Sequence, residues 1–318
     1  MKTRLCWMLC VLLAAGTLSV ASERATVIVV AGAPGEEEYA AVFAQQVEAW
    51  KQVCAQAGAK PIVIGADVGE ATSDRDRLQQ ALAAETKTGA DELWIVLVGH
   101  GTFNGKEAKL NLRGLDLAAT DLADWLKPFQ RPLAIIDTAS ASAPFLSKLA
   151  GKGRVVVSST RSGNEQNYAR FGKFFAEAIG DPKSDLDKDG QISLLEAFLS
   201  GSQRTAEFYK TEGRLATEHA LIDDNGDGLG TPADWFRGVR ATKQAKDGAT
   251  LDGTRAHQFH LVRSAAERQL PSEARARRDA LELQIAKLRE GKAKMAAAKY
   301  FAELEKLLLA LAAVYEGT

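Results

Sequence analysis

Cysteine, histidine and proline are scarce in this 318-residue chain, at 3, 4 and 8 residues. Cys6 and Cys10 fall within the first 22 residues, so the remainder holds Cys54 alone and excludes an internal disulfide. Cys54 lies in "EAWKQVCAQAG" at helical spacing with Trp50 and Val53. That is the setting of a packing thiol, with no basic or histidine neighbour in the sequence to make it a nucleophile. An excess of either charge is also lacking: the formal net charge is −1, and −3 once Lys2 and Arg4 are set aside with the first 22 residues. Without a clustered basic excess, nucleic acid is excluded as a partner. The glycines of "GAPGEEEY" (32–39) are not followed by Gly-Lys-Ser/Thr, so no phosphate loop is present. No Gly-x-Ser-x-Gly elbow occurs either, which argues against an acyl hydrolase of that type. His219, His257 and His260 show no metal-type spacing with Cys or Asp and read as structural.

Hydrophobic residues make up 46% and charged residues 25%, the proportions of a soluble globular protein. The N-terminus has a positive start (Lys2, Arg4), an apolar stretch from Leu5 to Val20 and small residues to Ser22, the pattern of a secretory signal peptide over 1–22. The apolar stretch is shorter than the ~20 residues of a spanning helix. Cleavage near Ser22 or Glu23 and a secreted or periplasmic location are expected. No later run of 18 apolar residues exists, so no stable membrane insertion is expected after signal removal.

From Ala25 onward, short apolar runs alternate with amphipathic ones. "TVIVVA" (26–31), "PIVIG" (61–65), "LWIVLVG" (93–99), "LAIID" (133–137) and "RVVVSS" (154–159) read as strands buried on both faces. Helical patterns fall at 37–57, 74–86, 121–129, 144–150 and 166–179. The alternation predicts an α/β core over 23–180: a doubly wound, mainly parallel sheet in three layers. In such sheets ligands bind beyond the carboxyl ends of the strands. Asp-Gly loops replace strands over 181–240, an EF-hand-like insert. A C-terminal helical region over 241–318 ends in a hairpin, with Leu281, Ile285 and Leu288 before Gly291 and Leu304, Leu307, Leu311 and Val314 after it. That hairpin packs on the core or meets a protein partner.

Two strand ends carry candidate chemistry. His100 closes "LWIVLVGHG", and the small residues of "DTASASAPF" follow the next apolar strand about one crossover later. Adjacent parallel strands would set His100 beside the serine-rich turn, the precondition of base-assisted nucleophilic catalysis. A strand ending in His-Gly followed by a strand ending in Ala-Cys-x-Ser-Gly resembles the legumain-like and caspase-like cysteine peptidases. The resemblance covers roughly residues 25–180. It implies a caspase-like fold, peptide-bond hydrolysis on a peptide or protein substrate, His100 as base and the Gly101 amide as oxyanion donor. One register sets Ser140 at the nucleophile position and also matches Ala139 and Ser142; the other, through Asp137-Thr138, sets Ala139 there. Neither supplies a cysteine. In "SSTRSGNEQN" (158–167), Arg161 and Glu165 fall where the family builds part of its substrate pocket.

"DLDKDGQISLLE" (185–196) has the spacing of an EF-hand loop. Asp185, Asp187 and Asp189 hold positions 1, 3 and 5, Gly190 the tight turn, Gln191 the carbonyl position, Ser193 the ninth and Glu196 the bidentate twelfth. "DDNGDGLGTPAD" (223–234) repeats it with Asp223, Asn225, Asp227, Leu229, Thr231 and Asp234. It departs by Gly230 at position 8 and by a shorter Asp at 12. Ca²⁺ is therefore the expected cofactor. Two functions compete: an exported peptidase with Ser140 in the nucleophile position, and an inactive pseudopeptidase serving as a calcium-dependent binding or scaffold module.

Overall fold

The computed structural model describes residues 24–66 and 72–316. The segment read as an export signal lies outside them. The first apolar run forms β1 (Thr26–Ala31), buried at every position, and leads into α1 (Glu37–Ala57). Helix α1 turns Phe43, Val47, Trp50, Val53 and Cys54 inward at the 3.6-residue period, which fixes it on one face of the sheet. Next come β2 (Lys60–Ile64), α2 (Asp74–Ala84) and β3 (Leu93–Val98). A small antiparallel sheet, β4 (Gly101–Phe103), β5 (Ala108–Leu110) and β6 (Leu117–Ala118), follows His100 and has no counterpart in the sequence reading. Then come α3 (Ala119–Leu126), β7 (Leu133–Asp137), α4 (Ala143–Leu149), β8 (Arg154–Ser158) and α5 (Phe171–Ala178).

Beyond residue 180 the chain adds α6 (Leu194–Thr211), β9 (Leu221–Asp223) and β10 (Thr231–Pro232). The main sheet runs β10-β9-β8-β7-β3-β1-β2, parallel except that β9 pairs antiparallel with both β8 and β10. The expected mainly parallel α/β sheet is present, and it is wider than expected because two strands from the acid-loop region extend its edge. Helices α1, α5 and α6 cover one face through Trp50, Phe171, Phe175 and Phe198. Helices α2, α3 and α4 cover the other through Leu78, Leu122, Phe145 and Leu149. These are the three layers expected.

Helix α5 starts at Phe171 rather than near Gln166, because its first free N–H groups find a partner there. The buried Glu218 carboxylate accepts from Arg170 N and Phe171 N, both at 2.9 Å by Oε2. The chain ends in α7 (Ala265–Gln269), α8 (Ser272–Glu290) and α9 (Ala297–Glu316), the last two packed as the expected hairpin. Among the described residues no helix is long and apolar enough to cross a membrane.

Candidate functional site

Strands β3 and β7 are parallel neighbours with Leu97 opposite Asp137, so His100 and Ser140 emerge side by side at the carboxyl edge. The chains approach so closely that a Cβ built on Gly101 would lie 2.1 Å from the Ser140 carbonyl oxygen, which only glycine tolerates. Ser140 is 2% exposed. Its Oγ accepts from Gly101 N–H at 3.0 Å and donates to the Gly101 carbonyl at 3.3 Å. Among the described residues no hydrogen bond joins His100 to Ser140. The imidazole instead stands among aromatic rings: Tyr39 edge-on at 4.5 Å, Phe43 at 5.2 Å and Tyr168 at 5.9 Å. Burial lowers its pKa, while the Pro34 carbonyl and Glu36 pull the other way.

The rest of the turn is tied down internally. Ala139 is 1% exposed, and its N–H donates to Asp137 Oδ1 at 3.0 Å. Ser142 sits where α4 begins but does not cap it. Its Oγ accepts from Ser159 N and Thr160 N, and Thr160 Oγ1 takes the Ala143 N–H at 3.1 Å. Asp137 is the exception: fully buried, with Oδ2 lacking any hydrogen-bond partner, it has its pKa pushed up by desolvation to about 7. Arg161 and Glu165 pair with each other at 3.3 Å, and the Glu165 carbonyl accepts from Ala141 N–H at 2.8 Å. Their loop therefore lies against the serine turn. His219, read from sequence as unclustered, places Nδ1 2.6 Å from Glu165 Oε1.

In the first acid loop, Asp185 Oδ1 accepts from Lys188 N at 2.7 Å and Oδ2 from Gly190 N at 3.2 Å. Asp187 and Asp189 accept from the N–H groups two residues on, those of Asp189 and Gln191. These bonds aim the three carboxylates inward, with ligand oxygens within 4.8 Å of one another. Glu196 is 1% exposed. Its Oε1 accepts from Leu186 N (2.7 Å) and Asp187 N (3.3 Å), and its Oε2 from Ser193 Oγ (2.8 Å). His257 corrects a second sequence reading: its Nε2 is 2.9 Å from Asp187 Oδ2, and it clusters with Asp187 and Glu196.

The second loop repeats the pattern through its ninth position. Asp223 accepts from Gly226 N (3.0 Å) and Gly228 N (2.6 Å), Asn225 Oδ1 from Asp227 N, and Asp227 Oδ1 from Leu229 N. Asp234 at position 12, however, is exposed and makes none of the contacts that Glu196 makes. Asp252 makes them instead. Its Oδ1 accepts from Asp224 N (2.9 Å) and Asn225 N (3.1 Å), positions 2 and 3, and its Oδ2 from Thr231 Oγ1 (2.6 Å), position 9. Position for position these are the bonds of Glu196. The only sequence signal was indirect: the short Asp234 and the Gly at position 8 left the loop without a proper closing residue. Asp223 and Asp252 are 0% and 4% exposed, and among the described residues neither has an ion-pair partner. Burial and the facing carboxylates raise both pKa values. An all-oxygen donor set with buried, unneutralised carboxylates suits a hard cation.

No protein-family model and no curated protein sequence matches this chain. Among solved structures it is similar to the Drosophila initiator caspase Dronc, at 11% identity over 66% of this chain and 82% of that one, with a TM-score of 0.43. It is similar also to caspase-1 from Spodoptera frugiperda, at 12% identity over 64% and 89%, with a TM-score of 0.45. These likenesses concern the fold alone. The three-layer, mainly parallel α/β architecture stands on the strand order and register of the chain itself.

Proposed function

We propose that this chain is an exported calcium-binding module on a peptidase-like α/β core, one that holds a peptide or protein ligand instead of cleaving it. One observation carries the reading. The Ser140 hydroxyl is engaged by both backbone groups of Gly101, so it has no base to activate it and it covers the amide that would meet an oxyanion. Ala139, the alternative nucleophile position, has no reactive atom. The peptide-like ligand follows from the motif resemblance around His100.

Calcium would be held in the first loop by Asp185, Asp187, Asp189, Glu196 and the Gln191 carbonyl. In the second loop it would be held by Asp223, Asn225, Asp227, Asp252 and the Leu229 carbonyl. When bound, the ion supplies positive charge to carboxylates that otherwise repel one another. Extracellular modules of this type work with dissociation constants of about 10⁻⁴–10⁻³ M, which fits an exported protein.

The second reading, a serine-dependent peptidase, is favoured by the adjacency of His100 and Ser140 on neighbouring strand ends. A serine-directed acylating probe separates the two. The binding reading predicts no labelling of Ser140 and no cleavage in a broad peptide library. Labelling of Ser140 that His100→Ala abolishes would overturn it. Ser140→Cys restores the residue type that the motif expects; peptidase activity in that variant alone would mark a relic site.

A further inference from the structure

Both acid loops touch one segment, residues 249–264, which runs over them and leads into the C-terminal helices. On its inner side, Ala249 N–H donates to Asp227 Oδ2 (2.8 Å) and the Thr250 carbonyl accepts from Asn225 Nδ2 (2.8 Å). Asp252 closes the second loop as described above. Gly253 N–H and Ala256 N–H donate to the Asp224 carboxylate at 2.9 and 2.7 Å. Further on, His257 meets Asp187 of the first loop, the Phe259 carbonyl accepts from Leu194 N–H (2.8 Å), and Ser264 N–H donates to Gln191 Oε1 (3.1 Å).

The outer side of the same segment carries the hairpin. Gln258 Nε2 donates to the Asp279 carbonyl (3.0 Å) and to Glu282 Oε2 (2.9 Å). A cavity of about 410 Å³ separates the segment from α8 and α9, lined by Leu251, His257, Ile285, Leu308 and Leu311 among others. The hairpin itself buries little: Arg278 and Ile285 on α8, Tyr300 and Val314 on α9. So small an apolar seam, with a cavity beneath it, holds two helices weakly. Two ties bypass the loops: Arg263 to Glu92 at 3.1 Å, and the burial of Ala256, Phe259 and Leu261 in the core, with Phe259 edge-on to Trp94 at 6.0 Å.

We infer that calcium at the two loops clasps segment 249–264, and through it the α8–α9 hairpin, against the α/β core. The inference rests on the calcium reading above. With the ion, Asp252 and the loop carboxylates share one positive centre and the segment is drawn in. Without it, the Asp223 carboxylate is left against those of Asp227 and Asp252. Residues 249–255 then lose their hold on the second loop while Phe259 and Leu261 stay in the core, and the hairpin facing 251–254 loosens. The coupling needs no movement of the sheet.

The test is hydrogen exchange on the mature chain in calcium and in EGTA, with calcium binding followed in parallel by titration calorimetry. Amides of α8 and α9 should exchange at least about tenfold more slowly with calcium, while those of β1, β3 and β7 stay unchanged. Asp252→Asn should abolish that protection and leave the core strands protected. Should this variant fold poorly, the wild-type comparison alone decides. Calcium heat with unchanged α8–α9 exchange overturns the clasp and leaves the calcium reading standing. Absence of any calcium heat overturns both.

Discussion

The strand-end turn around Ser140 and the acid loops at 185–196 and 223–234 are both dense in polar side chains, yet they differ in how those groups are satisfied. At the strand ends the hydroxyls of Ser140, Ser142 and Ser159 all close on neighbouring backbone or on each other. In the loops the backbone N–H groups are satisfied, but the carboxylates of Asp185, Asp187 and Asp189 converge on one another, and the buried Asp223 and Asp252 have no ion-pair partner among the described residues. A polar group that is internally satisfied is structure. Charges held together against their repulsion need a partner from outside. That difference favours the proposed reading, with the loops and not the strand ends as the working site, although the sequence resemblance draws attention to the latter.

Calcium removal should give the largest effect. At a free concentration of 100 times each dissociation constant, one ion stabilises the folded state by about 2.7 kcal/mol and two by about 5.4 kcal/mol, which for a chain of this size raises Tm by roughly 8 °C. Differential scanning calorimetry in calcium and in EGTA checks it, and an unchanged Tm would erase the contrast between the two regions. Next in size comes Asp137, the one group at the strand ends left unsatisfied. Its folded pKa of about 7 exceeds the ordinary 3.8, so between those values the native state holds a proton that the unfolded chain has released. Stability therefore falls as pH rises from about 4 to 7, and the penalty is complete above that window. Asp137→Asn should stabilise the protein by roughly 2–4 kcal/mol at pH 8 and flatten the slope, as urea unfolding at several pH values would show. Glu196→Gln keeps the shape of the first loop but removes one ligand charge, and should cut the calcium-dependent rise in Tm by about half. Ser140→Ala should have the smallest effect, about 1 kcal/mol of stability for its bonds to Gly101, with no hydrolysis lost. A loss of hydrolytic activity in that variant would reverse the comparison.

Uninterrupted β-branched runs made β1, β3 and β7 readable to within a residue, and apolar spacing gave α1 from end to end. Strands β9 and β10, at 3 and 2 residues, are too short to show a period, so the sheet edge that launches the second loop was not visible. The first loop could be read whole because its donors lie within twelve residues. The second could be read only to its ninth position, since Asp252 reaches it through the fold. The same holds for His257 beside Asp187 and His219 beside Glu165: residues 70 and 54 apart leave no mark in local spacing. At the strand ends, the adjacency of His100 and Ser140 followed from strand order, but the direction of the Ser140 hydroxyl depends on the close approach of Gly101.

The proposed function requires two calcium-binding loops, one closed by its own twelfth residue and one by Asp252. Isothermal titration of the mature chain with calcium tests it most directly, using wild type, Asp252→Asn and Asp234→Asn side by side. The account predicts two ions bound by wild type and by Asp234→Asn, and one by Asp252→Asn. A full complement in Asp252→Asn together with a lost ion in Asp234→Asn would contradict it.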